Sequence, residues 1–223
     1  GDRVRDWEIE NPNHTCFPYD KTLNPFMTAT VTQYLWPHRT ALWLWLRREP
    51  NGNHREIGLS WYEWSRFQRE RFKIPLSITF AEVATHNHFV LDRGGKVFKQ
   101  TAPVIKLPAD ASEAQHFALL GLLNSSTACF WIKQVFQAKG GDHVGTEGAR
   151  VRKTLWDERF QLAGTGMKKF PVAEDPHHRA QLMAQKLDQM AQQLAAVGPD
   201  TIFKQVDADI QNRLSIAQQQ ETH

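Results

Sequence analysis

Apolar positions recur along this chain at two different spacings, and the change of spacing divides it. In the last fifty residues they fall at 182, 183, 187, 190, 194 and 197, the period of a helix, and Gly198-Pro199 ends that helix. Ile202, Val206, Ile210 and Leu214 follow four apart and predict a second helix over 200–218. Gln and Ala fill the other positions, so the stripe is narrow and predicts a helical hairpin, or half of a coiled-coil spacer, that needs a partner surface. Between 74 and 107 the texture is that of strands. SITFAEVA, HFVLD, KVFK and APVIKL are short β-prone runs separated by Thr85-His86-Asn87, Arg93-Gly94-Gly95 and Gln100-Thr101. They read as a meander or part of a barrel.

The flanking segments are more mixed. Residues 1–25 are rich in turn residues and read as an irregular lead-in. Met27 to Trp36 is β-prone and stops at Pro37, which suits the first turn of a helix over 38–48. Pro50-Asn51-Gly52-Asn53 is a turn, and Ser60 with Glu63 reads as a capping box opening a helix over 61–72. After residue 108, FALLGLL and SSTACFWIKQVF predict two helices broken at Asn124-Ser125. Residues 140–148 form a glycine-rich loop, followed by a short helix over 152–160, Gly164-Thr165-Gly166 and a strand-like KKFPV. The expected class is α+β: a β-rich body, as a twisted mixed sheet or partial barrel with packed helices, followed by a C-terminal helical hairpin. The body is expected over 1–173, with 1–58 as a lead-in and helix, and the tail over 174–223.

Composition narrows the class without naming a function. Of 223 residues 41% are hydrophobic and 23% charged, which excludes disorder, collagen and coiled coil for the chain as a whole. The net charge of +3 conceals an asymmetry: residues 174–223 hold four basic and seven acidic residues, leaving +6 on the rest. Two cysteines, Cys16 and Cys129, are too few for a disulfide scaffold. The apolar stretch from Phe117 to Phe136 is interrupted by Asn124, Ser125, Ser126 and Lys133, a poor membrane span. No membrane association and a cytoplasmic location are expected, and a chain opening on Gly1 suggests a piece of something longer. Eight Trp and thirteen Phe signal either a dense core or a contact surface. Trp36, Trp43, Trp45, Trp61 and Trp64 are expected mostly in the core, the alternative being a docking face.

No catalytic constellation stands out. His86 and His88 could grip a metal from one strand face, but neither HExxH nor a cysteine partner accompanies them, so no metal site is assigned. There is no GxSxG; Ser60, Ser125 and Ser126 read as helix caps, and Cys129 as an inert thiol in an apolar helix. GGDHVGTEG lacks the Lys-Ser/Thr of a phosphate-binding loop. Flanked by Lys139, His143, Arg150, Arg152 and Lys153, it reads instead as a basic contact surface or an ordinary loop.

LSITFAEVATHNHFVLDRGGKVFKQTAPVIKLP, LLGLLNSSTACFWIKQVFQAKGG and GTGMKKFPV occur in that order, preceded by GLSWYEW. Together these blocks resemble the C-terminal target recognition domain of PglX-like adenine-specific DNA methyltransferases of type 2 BREX bacteriophage exclusion. More broadly they are similar to TaqI-like and type IIG specificity domains. The resemblance runs from about Leu59 to Val172. It implies a module that recognises double-stranded DNA beside an upstream methyltransferase domain. S-adenosylmethionine would then be a cofactor of the parent, with none in this fragment and no catalytic residue here. Asn24-Pro25-Phe26-Met27 is the nearest string to the adenine-flipping tetrapeptide, but lacks its second Pro and closing aromatic.

Under that resemblance, phosphate contacts are expected from Arg93 and Lys96 and from Lys139, Arg150, Arg152 and Lys153. Base readout is expected from His86, Asn87, His88, Gln100 and His143. None is carried by a motif; each is chosen by residue type and loop position. For 86–88 the alternative is a turn whose Asn tolerates a left-handed backbone, and for Lys168-Lys169 a solvated strand end. The competing functional reading is a protein-interaction module that binds another BREX component or a phage inhibitor.

Overall fold

The computed structural model describes residues 4–5, 7–9, 14–44, 46–47, 52–139, 143–144, 150–151, 158–172 and 178–221. The chain is α+β and divides into two compact units, residues 11–75 and a larger one made of 1–10 and 76–223. The lead-in is more ordered than its turn-rich composition suggests. β1 (Val4–Arg5) and β2 (Glu8–Ile9) pair antiparallel, and buried Val4 packs with Val90 and Ala102 of the larger unit.

In the smaller unit, the β-prone run from 27 to 36 is helical, as α1 (Ala29–Leu35). Local capping overrides the propensity of Thr30, Val31 and Thr32: the Val31 N–H donates to Thr28 Oγ1, and the Thr32 hydroxyl donates to Thr28 O at 2.9 Å. A 3-10 turn over Trp36–His38 has Pro37 in its first turn, where no N–H is needed. The helix expected over 38–48 is shorter, α2 (Arg39–Trp43), because the chain then enters β3 (Leu46–Arg47), paired antiparallel with β4 (Gly52–Asn53).

Only the carboxylate half of the capping box forms, the Ser60 N–H donating to Glu63 Oε1 at 2.7 Å. No helix follows until α3 (Arg69–Lys73). Tertiary packing explains the loss. The Trp64 N–H donates to Tyr19 Oη at 3.0 Å, and Tyr19 stacks on Phe67 at 3.8 Å. Phe17, Trp64 and Phe72 complete this aromatic cluster. Burial pushes the Tyr19 hydroxyl above its ordinary pKa, opposed by that backbone hydrogen bond.

The larger unit is built on a three-stranded antiparallel sheet, β5 (Ser77–Phe80) between β7 (Phe89–Asp92) and β8 (Val104–Ile105). β6 (Val83–Ala84) continues past β5 into a separate ribbon. Every residue of β5 and β7 is buried, so both sheet faces are covered. Ile78, Phe80, Phe89 and Leu91 join Phe117, Leu120, Leu123 and Ile132 of α4 (Glu113–Leu123) and α5 (Ser126–Val135) in the main core. Each such side chain contributes about 1.5–3 kcal/mol. KVFK is not a strand.

Ser112 and Gln115 complete a capping box at the start of α4, and Ser125 caps α5. The excursion after α5 carries β9 (His143–Val144), within the expected loop, and β10 (Arg150–Val151), just beyond it, paired antiparallel. Most of the short helix expected over 152–160 lies outside the described residues, and its end is instead β11 (Phe160–Gln161), paired with β6. Gly164 to Met167 is a short helix, α6, and KKFPV is turn and coil: the Lys169 N–H bonds locally to Gly166 O and the Phe170 N–H to Met167 O. A Cβ on Gly166 would lie 2.4 Å from the Phe136 ring, so a larger residue here would have to displace that ring.

The tail is the expected helix pair, α7 (His178–Ala196) and α8 (Pro199–Glu221). α7 packs on α4 through small residues, with Gly121 against the Ala180 carbonyl and Ala184 buried. Its large apolar side chains face outward instead, Leu194 being 71% exposed, and every side chain from Ile202 to Arg213 of α8 is exposed.

Candidate nucleic-acid interface

Residues 82–84, 137–139 and 159–162 form a small ribbon. Phe160 pairs with Ala84 on one side and bridges to Ala138 on the other. The Leu162 N–H donates to Glu82 O at 2.7 Å, and the Gln161 side chain donates to Glu82 Oε1 at 2.9 Å. At the open end the Lys139 N–H donates to Arg159 O at 2.7 Å, and the antiparallel register places Arg159 opposite Thr85. Lys139, Arg159, Thr85 and exposed His86 therefore sit at one end of the ribbon, where the 140–158 excursion leaves the body.

The remaining candidates are held differently. His86 Nδ1 lies 2.9 Å from the Thr85 hydroxyl, and the His86 and His88 rings are 6.4 Å apart. Exposed Gln100 immediately precedes Thr101, whose carbonyl accepts from the Glu82 N–H at 3.0 Å, so it lies beside the opposite, Glu82 end of the ribbon. His143 and Arg150 lie in the β9–β10 hairpin, with Val144 opposite Arg150 and Val151 opposite His143. Arg152 and Lys153 lie outside the described residues.

Asn87 is engaged in the scaffold. Its side-chain amide donates to Leu123 O at 2.7 Å and Ser125 O at 3.0 Å, closing the break between α4 and α5. Asn124 completes the joint from the other side: its Oδ1 accepts from the Phe89 N–H at 3.0 Å, and its Nδ2 donates to Phe89 O at 2.8 Å. β7 is an edge of the three-stranded sheet, so this amide replaces a missing neighbouring strand. LLNSS is therefore a joint: one buried leucine, Leu123, a lock on the sheet and a helix cap.

Arg93 and Lys96 lie beyond the opposite end of β7. At about 3.4 Å per residue, Arg93 is roughly 17 Å along the chain from His88. The Arg93 guanidinium lies 2.8 Å from both Glu113 and Asp188, and Asp188 is almost completely buried. Hydrogen bonding to Asp188, opposed by partial burial, raises Arg93 above its ordinary pKa. Lys96 pairs with buried Asp92 at 3.3 Å. Burial lowers Lys106, against the charge of Asp92. Arg93 thereby ties the end of β7 to α4 and α7, and Lys96 is held against the end of β7.

Arg159 lies in a stretch whose pattern predicts a helix over 152–160, which hides its place beside the ribbon. Strand pairing with Lys139 was the missing signal. Asn24-Pro25-Phe26-Met27 is held as a turn: Asn24 donates through its backbone to Asp20 Oδ1 at 2.9 Å and through its side chain to Thr22 Oγ1 at 2.9 Å. These amide groups are committed locally.

No family model matches the chain. Over 205 residues, 91% of the chain, it is 42% identical to the adenine-specific methyltransferase PglX of Streptomyces coelicolor strain A3(2). This chain is similar to a segment of PglX. It spans 17% of that protein's length, so the identity covers a PglX-like fragment and leaves most of PglX unmatched. The sequence blocks between 76 and 172 singled out above form the sheet, the Asn87–Asn124 joint and the α6 turn. Among the described residues, no helix is long and apolar enough to cross a membrane.

Proposed function

We propose that this chain is the sequence-recognition module of a bacteriophage-exclusion N6-adenine DNA methyltransferase. The S-adenosylmethionine-binding catalytic domain would lie in the rest of the parent. The observation that carries the reading is the 42% identity to a segment of PglX across almost the whole chain. The ribbon end supports it, since it gathers Lys139 and Arg159 beside His86, while Gln100 lies beside the other end of the same ribbon. Lysine and arginine there would neutralise phosphates and fix register, while imidazole and amide groups would reach base edges in the major groove. Arg150, Arg152, Lys153 and His143 would extend this surface along the excursion, and His88 would flank it. The parent's catalytic domain would rotate the target adenine from the stack.

The test is duplex binding by the 223-residue chain over a salt series. Lys139→Glu with Arg159→Glu should weaken binding across sequences and lower the salt slope by about one per lost phosphate contact. His86→Ala, introduced into the full-length parent, should alter which adenines are methylated. Unchanged binding in the double variant, together with unchanged methylation sites, would sink the proposal. A second reading, a protein-interaction module of the same system, draws support from the outward apolar side chains of α7 and α8, including Phe203 at 66% exposure. Deleting α8 and assaying capture of the remaining defence components discriminates it.

A further inference from the structure

The smaller unit has its own surface chemistry. Residues 11–75 hold five of the eight Trp, all three Tyr, and nine basic against five acidic residues, a net of +4. One group of aromatics, around Tyr19 and Phe67, is internal. A second group is not. Trp36, expected in the core, is 53% exposed, and Tyr34, two residues earlier, is 79% exposed. The Arg39 guanidinium lies over the Trp36 ring at 4.1 Å. Trp61 meets Trp36 edge-on at 6.3 Å, and Tyr62 meets Trp61 edge-on at 5.4 Å.

A half-exposed indole leaves ring surface for a partner, and the charge of this unit selects the partner's sign. A polyanion with flat apolar faces fits both, and a single nucleic-acid strand has that chemistry. In a duplex the base faces are already stacked, so these rings could not use them. We propose that Trp36, Arg39 and Trp61 form a stacking platform for unpaired nucleotides of single-stranded DNA. A base would stack on the Trp36–Arg39 pair, with the remaining positive charge of the unit following the phosphates. This site rests on the smaller unit alone and does not require the duplex reading of the ribbon.

The experiment uses the full 223-residue chain and a labelled fifteen-nucleotide oligothymidylate. Binding is followed by fluorescence anisotropy at low salt and by tryptophan emission. The expected result is saturable binding with quenched emission. Trp36→Ala and Arg39→Gln should each weaken it at least about fivefold, the lower end for removing one base stack, and Trp36→Phe should retain most of it. Duplex binding should be insensitive to Trp36→Ala. If Trp36→Ala lowers the melting temperature, Arg39→Gln decides. The inference is overturned by no oligothymidylate binding, or by wild-type affinity in both the Trp36→Ala and Arg39→Gln variants. It is also overturned if Lys139→Glu with Arg159→Glu abolishes single-strand binding while Trp36→Ala leaves it intact, an outcome compatible with the ribbon proposal. Self-association that Trp36→Ala abolishes, without any oligonucleotide dependence, would assign the patch to a second copy and overturn it equally.

Discussion

Replacing Asn124 by Ala removes two hydrogen bonds, 3.0 and 2.8 Å long, that satisfy both backbone polar groups of Phe89. Phe89 is 1% exposed, so water cannot easily replace the lost amide. Each bond contributes about 0.5–1.5 kcal/mol net, and each buried group left unpaired costs about 1–3 kcal/mol. These figures overlap, and the expected loss is about 2–4 kcal/mol. For a unit of this size it would lower Tm by roughly 4–16 °C. Urea denaturation followed by circular dichroism measures it. Asn124→Asp sharpens the test. Its carboxylate can accept from the Phe89 N–H but repels the Phe89 carbonyl, which raises its folded-state pKa above the unfolded value. Its protonated form can donate as the amide does. The carboxylic acid should therefore recover stability as pH falls through that raised pKa, an advantage fully present below the unfolded pKa and lost as pH rises. A loss below about 0.5 kcal/mol for Asn124→Ala, or an Asn124→Asp curve parallel to it down to pH 4, would refute the edge-strand role.

Other residues yield independent tests. Gly121→Ala would place a Cβ 2.2 Å from the Ala180 carbonyl oxygen. Overpacking at about 1–3 kcal/mol should exceed the roughly 1 kcal/mol gain in helix propensity, and a rise in Tm would contradict the close α4–α7 contact. A double-mutant cycle on Arg93 and Asp188 should give a coupling of about 0.5–1 kcal/mol, discounted because the Arg93 side chain is 44% exposed. Arg93→Ala should also leave the salt slope of duplex binding unchanged, since its charge is already engaged, and a slope lower by one would return Arg93 to the phosphate contacts. Hydrogen bonding to Thr22 and Asn24 lowers the pKa of Asp20. The associated stability is present above its unfolded pKa and lost as pH falls through the folded one, so Asp20→Ala should flatten the acid limb of the smaller unit's melting curve.

What could be read from the sequence was what local chemistry alone decides. The helices around FALLGLL and SSTACFWIKQVF, their break at Asn124-Ser125 and the C-terminal pair follow from periodicity and capping. The failures are places where a partner distant in sequence intervenes. Tyr19 draws the Trp64 N–H away from a helix, and Lys139 fixes Arg159 in a ribbon. At 27–36 the failure was local: Thr28 capping outweighed β-branched propensity. The site was less legible than the fold because residue type and loop position do not show prior engagement. Asn87 and Arg93 have side chains suited to DNA, but their partners, Leu123 and Ser125 in one case and Glu113 and Asp188 in the other, are 20 to 95 positions away.

The neck between Lys139 and Arg159 is closed by main-chain atoms, with a single N–H donating to a carbonyl at 2.7 Å. No side chain between them is needed for that closure. Lengthening a closed loop costs only about 0.6 kcal/mol per doubling of its length. A change in the number of residues between 139 and 159 is therefore expected to cost the sheet and helices little stability. Under the proposed function, two chains sharing this scaffold would be nearly identical in their cores while differing in this segment, so a swap of 140–158 between them would test whether preference travels with it.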